Sequence, residues 1–219
     1  VTLASALAVG LTLSGAAVET LFCAAALPAG AVCEASLHPD LAVFAARGPQ
    51  RDLCRDCLWP AERVIDQLGL PRHRYSAWFT SEERVEASRL AAGRSIEEMK
   101  AFTEDGLLIG EHAYAGALRF FASGSLDGEP HALPIMRRYF ESAILTVRAG
   151  TRLLRTRRYT SVVATHGIYV PWGLISEVAR REGVPFSAWN VAYRKRRFIF
   201  SHTDTYHHTL MTEPASQWE

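Results

Sequence analysis

Between Tyr159 and Asn190 the apolar positions change period twice, which predicts a strand, a helix and a second strand. Tyr159 to Ala164 is a short β-branched and apolar run, as expected of a strand covered on both faces. From Trp172 the apolar residues recur at Ile175, Val178 and Ala179, one stripe of a helix. Gly183 stands where a helix C′ glycine belongs, and Pro185 blocks continuation. Residues 184–190 are strand-like again, so the segment is a βαβ unit, and such crossovers build parallel sheets.

The same patterning organises the rest of the chain. Leu3, Leu7, Ala8 and Leu11 have helical spacing, Gly15 closes that helix, and 18–23 reads as a strand. This is the second half of a βαβ unit without its first strand, and no initiator Met precedes it, so a longer parent chain is expected. A secretory leader fits poorly, since no basic region precedes the apolar start and Glu19 interrupts it. Residues of about 60–157 are mainly helical by pattern. Helices are expected over Ala61–Leu68, over Thr80–Phe102 with Thr80 and Glu83 in capping-box spacing, over Glu111–Phe121 and over Leu133–Leu154. Asp105 to Gly110 reads as a short strand. The fold class is thus α/β: a parallel sheet with strands near 18–23, 105–109, 159–165, 184–190 and 197–201, helices on both faces, and a helical middle.

Composition agrees with a chain able to bury a sizeable core, at 219 residues, 48% hydrophobic and 21% charged. No apolar run reaches the roughly 18 residues a transmembrane helix needs. The net charge of +1 hides an asymmetry: 137–197 holds 13 Lys or Arg against 3 Asp or Glu, and the remainder 11 against 20. Segregation on this scale suggests a face for anions such as a nucleotide diphosphate, a lipid phosphate or a membrane surface. Arg148, Arg152 and Arg155 fit equally well as the solvated side of one helix. The run Arg194 to Arg197 does not, because it lies between two strands.

Candidate chemistry collects at the strand ends Thr165-His166, Trp189-Asn190 and Ser201-His202. In an open parallel sheet, ligands bind outside the carboxyl ends of the strands. His166, Asn190, Tyr193, Arg194, His202 and Asp204 are therefore expected to line one cleft. His166 precedes Gly167, where the backbone can turn sharply, and it could equally be a loop histidine satisfied by hydrogen bonds. His202, Asp204, His207 and His208 crowd into one short stretch. They could bind a divalent metal, but HExxH-type spacing is absent, which favours a hydrogen-bonding acid/base cluster for a hydroxyl-rich ligand. His112 could face a ligand together with Arg119 or sit on the surface at a helix start. Tyr169, Trp172, Trp189 and Tyr193 offer flat faces for stacking on sugars, or core packing. His73 and His131 lie in polar stretches and are expected to face solvent.

Cys23, Cys33, Cys54 and Cys57 fall in one window rich in Pro and Gly, and Cys54 to Cys57 is a CxxC pair. Ordinary thiols, a structural Zn²⁺ or iron–sulfur site, and a disulfide or redox pair all remain open. A Zn²⁺ site would gather the four sulfurs about 2.3 Å from one ion, and His38 could replace one ligand. The compartment is expected to be reducing.

The HGIYVPWG turn, the WNVAYRKRRFIFSHTDTYHHTL stretch, the order of elements and the opening helix together resemble bacterial capsule and surface polysaccharide biosynthesis proteins. These are glycosyltransferase-like chains of GT-B architecture, with two facing Rossmann-like domains. The resemblance implies that residues 1–219 are the N-terminal, acceptor-side domain, with a nucleotide-sugar domain elsewhere in the same chain. It implies a nucleotide-sugar donor, a glycan or lipid-linked acceptor and a cytoplasmic site at the inner face of the membrane. It implies chemistry that needs no metal, with His166 as the base. No glycine-rich loop and no donor-binding motif accompanies it. Two other classes stand beside it: a metal-dependent phosphoesterase using His202, Asp204, His207 and His208, and a non-catalytic module that docks anionic ligands on the basic stretch. No nucleic-acid signature is present.

Overall fold

The structure is a computed structural model that describes residues 2–192 and 194–205. Its elements run α1 (Thr2–Leu13), β1 (Thr20–Phe22), α2 (Leu41–Arg47), α3 (Arg51–Gln67), β2 (Arg72–Arg74), α4 (Ser81–Ala92), α5 (Ile96–Lys100), α6 (Ile109–Phe121) and α7 (Ala132–Thr156). They continue with β3 (Val162–Thr165), α8 (Trp172–Arg181), β4 (Phe186–Val191) and β5 (Phe198–His202). The class is α/β, but the sheets are small. β1 and β2 form a parallel pair, and β3, β4 and β5 a mixed sheet in that order.

The βαβ unit β3–α8–β4 is parallel, with Val162 opposite Phe186 and Thr165 opposite Trp189. β5 corrects the all-parallel expectation, since it pairs antiparallel to β4, with Val191 opposite Phe198. The cause is chain length. Only 192–197 join the two strands, and a parallel return needs a crossover of a dozen or so residues. Helices on both faces are also not what this sheet has among the described residues. Phe186 and Ala188 are buried on the side that meets α8, whereas Val163, Val191, Phe198 and Phe200 are exposed on the other.

The expected strand over 105–109 is absent, because Asp105 and Gly106 both have left-handed φ, 51° and 77°. Asp-Gly is the sequence that such a tight two-residue turn prefers. The turn brings Glu104 opposite Leu107, and α6 starts two residues later. The expected helix over Thr80–Phe102 breaks at Gly93 into α4 and α5, each opened by its own capping box, Thr80 with Glu83 and Ser95 with Glu98. α3 begins ten residues before the expected Ala61 and carries Pro60 within it.

α7 is the spine of the molecule. Ile135, Met136, Tyr139, Phe140, Ile144 and Leu145 are at most 1% exposed, so it is buried on most of its circumference. Its arginines fold back onto neighbours. Arg148 makes two bonds to Glu104 (2.6 and 2.7 Å), Arg152 pairs with Glu83 and Arg155 with Glu182. This part of the basic stretch ties helices together. Among the described residues no helix is long and apolar enough to cross a membrane.

Candidate functional site

β3 ends at Thr165, and the His166 amide still donates to Trp189 O (2.9 Å) across the sheet. His166 and Gly167 then take left-handed φ, 61° and 69°, and Gly167 N–H closes back on Thr165 O (2.7 Å). Tyr169 is left-handed as well, φ 71°, before a cis Val170–Pro171 bond and the start of α8 at Trp172. Non-glycine residues held there cost about 1 kcal/mol or more each, and such positions gather at binding and catalytic sites.

The turn stacks the half-buried His166 ring on Trp172 (centroids 5.5 Å, 27°) with Tyr169 edge-on (5.8 Å, 72°). Arg119 of α6 lies 5.7 Å over the Tyr169 ring and is held from behind by Glu34 (3.1 Å). Beneath them His112, 2% exposed, packs where α6 meets α8. The approach is so close that a Cβ on Gly173 would stand 2.2 Å from His112 Nδ1. His112 Nε2 lies 3.7 Å from Glu177 Oε1, Glu177 is paired with Arg180, and Arg180 with Asp204 (3.0 Å). Thr205 closes the circuit, its hydroxyl donating to His166 O (2.7 Å). The structure thus brings together His112, Arg119, His166, Tyr169 and Trp172. Chemically this is an imidazole with an indole face, a phenol edge and a nearby guanidinium, at the carboxyl end of a parallel strand.

The remaining strand-end residues do not share that cluster. His202 lies on the exposed side of the sheet, bonded to Ser187 Oγ (2.8 Å). Asp204 turns to the helix side, so the two are not partners in an imidazole–carboxylate pair. Asn190 is buried on the helix side, and its Oδ1 accepts from Val191 N–H (2.9 Å). Arg194 is exposed in the β4–β5 turn. Trp189 packs its ring against Phe198 at 6.2 Å. Tyr193, His207 and His208 lie outside the described residues. Antiparallel β5 is the physical reason for the separation, because it delivers His202 beside the start of β4 (opposite Ser187) rather than beside its carboxyl end.

Glu177, Arg180, Thr205 and Gly173 complete the site and escaped the sequence. Glu177 and Arg180, three apart on a helix, were readable as a pair. Thr205 and Gly173 carry no local signal, since their contacts depend on tertiary packing. His73 is not solvent-facing either: it bonds to Glu19 (2.7 Å) within β2.

The cysteines are free thiols, three half-buried and Cys57 exposed. Burial pushes all four up, Cys33 to about 12. Among the described residues no group of three or more His, Cys, Asp or Glu is arranged to hold a metal ion, so the compact Zn²⁺ geometry is not formed. His38 joins no such group among the described residues. It is buried against Phe44 (4.3 Å) and Phe120 (5.8 Å), and burial pulls its pKa down.

No family model, curated protein or solved structure matches the chain.

Proposed function

We propose that the chain is a glycosyltransferase-like protein that moves a sugar from a nucleotide-sugar donor to a hydroxyl acceptor in bacterial surface polysaccharide synthesis. The observation that carries this reading is His166, an imidazole on a left-handed turn at the end of β3, stacked on Trp172. Glycosyl transfer needs a base that deprotonates an acceptor hydroxyl as it attacks the anomeric carbon, and histidine titrates near working pH. Trp172 and Tyr169 are half-buried aromatic faces suited to the apolar side of a sugar ring. Arg119, over Tyr169, supplies positive charge for a phosphate of donor or acceptor. The sequence resemblance assigns these residues to an acceptor-side domain, and the donor diphosphate to a second domain of the same chain.

The test is sugar incorporation by the full-length protein, using labelled nucleotide sugars and a lipid-linked glycan extract. His166→Ala should lower turnover about a hundredfold or more with the fold retained. Unchanged turnover in that variant would remove His166 from the mechanism. Absence of transfer, combined with ligand binding that fades with salt and survives His166→Ala, would support an anion-docking module instead.

A further inference from the structure

A cleft of about 840 Å³ opens between α3, α4, α7 and the loop that follows β1. Arg47, Arg51, Arg55, Arg84 and Arg138 line it, with Trp59 among them. Its volume lies in the range of small-molecule sites, roughly 300–1,000 Å³. It shares no residue with the cluster around His166.

Short contacts gather these arginines. Only residues 48–50 join α2 to α3, and the half-buried Arg138 guanidinium lies against that link. A Cβ on Gly48 would stand 2.8 Å from Arg138 Nη1 and 3.3 Å from Pro28 O. Arg138 Nε donates to Ala45 O (3.0 Å), beside the segment that carries Arg47 and Arg51. From α4, Arg84 donates to Ala26 O (2.7 Å). Both cations are thus fixed by uncharged carbonyls, which leave their charge in place. Gln50 turns its side chain back to Gly48 O (3.0 Å) instead of capping α3, so the first-turn amides of that helix add positive potential. Arg55 contributes least, since it pairs with Asp52 and Asp56. The two carboxylates of the cleft offset little of this: Glu62 is engaged with Arg72 and Arg74, and burial pushes Glu141 up. Burial equally disfavours the charge on Arg138, a penalty that a bound anion would offset.

We propose that this cleft binds a phosphate ester carried on a ring, with the phosphate among Arg47, Arg51, Arg84 and Arg138 and the ring against Trp59. Guanidinium forks match phosphate oxygens in bidentate pairs, and a helix N-terminus adds N–H donors. Trp59 is 57% exposed, with the Arg63 guanidinium over its ring at 4.7 Å. An exposed indole beside a cationic cleft suits the flat face of a nucleobase or the apolar face of a sugar. The site stands independently of the transferase reading.

The test is calorimetric titration of the full-length protein with pyrophosphate, ADP, glucose 1-phosphate, adenosine and glucose. Pyrophosphate should bind, at least one ester should bind more tightly, and adenosine and glucose should not bind. The tighter ester tells nucleobase from sugar. Arg47→Ala and Arg51→Ala, both at exposed positions, should each weaken phosphate binding about tenfold. Trp59→Ala should weaken the ester and leave pyrophosphate unchanged. Arg194→Ala, the same charge change in the β4–β5 turn, should have no effect. A donor site elsewhere in the chain would bind ADP without responding to Arg51→Ala, so this cleft and the transferase reading are judged separately. No phosphate binding at millimolar concentration, an equal loss in Arg194→Ala and Arg51→Ala, or esters no tighter than pyrophosphate would each overturn the proposal.

Discussion

At Gly173 a single hydrogen atom in place of a methyl group decides whether His112 can lie against α8. A Cβ there would meet His112 at 2.2 Å and the Ile168 backbone at 2.8 Å. Gly173→Ala should therefore cost about 2 kcal/mol through overpacking, read as a lower denaturation midpoint. Gly10, inside α1 with nothing within 4 Å of its position, should respond in the opposite sense. Gly10→Ala is expected to stabilise that helix by about 1 kcal/mol, seen as slower amide exchange in α1. Both glycines look alike in sequence. His166 was legible because a strand end followed by glycine is a local pattern. His112 was a candidate too, but its burial was not legible, because it is set by a helix some sixty positions away along the chain.

Among the elements, α4 shows which local signals suffice. Thr80 accepts from Glu83 N–H, and Glu83 returns a bond to Thr80 N–H (2.7 Å) while also pairing with Arg152 of α7 (2.8 Å). Thr80→Ala should cost about 1 kcal/mol. Glu83→Ala should cost more, since it removes a cap and a helix–helix tie together, and thermal melts of the two variants decide the order. The Thr80 box was visible in the sequence. So was its counterpart at Ser95 and Glu98, and with Gly93 it marked the break that a single long helix overlooked. The direction of β5 was misread as parallel, although the brevity of 192–197 leaves no room for a parallel crossover. Asp105-Gly106 misled because the apolar Leu107 and Leu108 after the turn lead into α6 rather than a strand.

Over the whole molecule, charge that is segregated along the sequence is mixed in space. The basic stretch meets acids from far upstream, at Glu104 and Glu83, while Arg194 to Arg197 are exposed in the turn between β4 and β5. No sequence count reveals this, since it depends on which helices α7 touches. A second long-range tie joins the N-terminal sheet to the approach to β3. Glu19 accepts from Tyr159 OH (2.5 Å) and bonds to His73 (2.7 Å). The Tyr159 hydroxyl first, then His73, holds the Glu19 carboxyl below its ordinary value of 4.5. A depressed carboxylate contributes stability above its unfolded pKa and loses it as pH falls through the folded one. The melting-temperature gap between the wild type and Glu19→Gln should therefore be full near neutral pH and shrink in acid, below 4.5. A gap that is constant with pH would assign the tie to shape alone.

The contacts around His166 form a ring rather than a line: Trp172, Gly173 beside His112, Glu177, Arg180, Asp204 and Thr205 lead back to His166 O. In a line, damage at one end fades with distance, and separate defects add. In a ring each member is braced from two sides, so a first break releases constraint that a second break can no longer release. Gly173→Ala and Thr205→Val touch opposite sides of it. Their combined loss of stability should fall short of the sum of the single losses, although the two residues lie thirty-two positions apart in sequence.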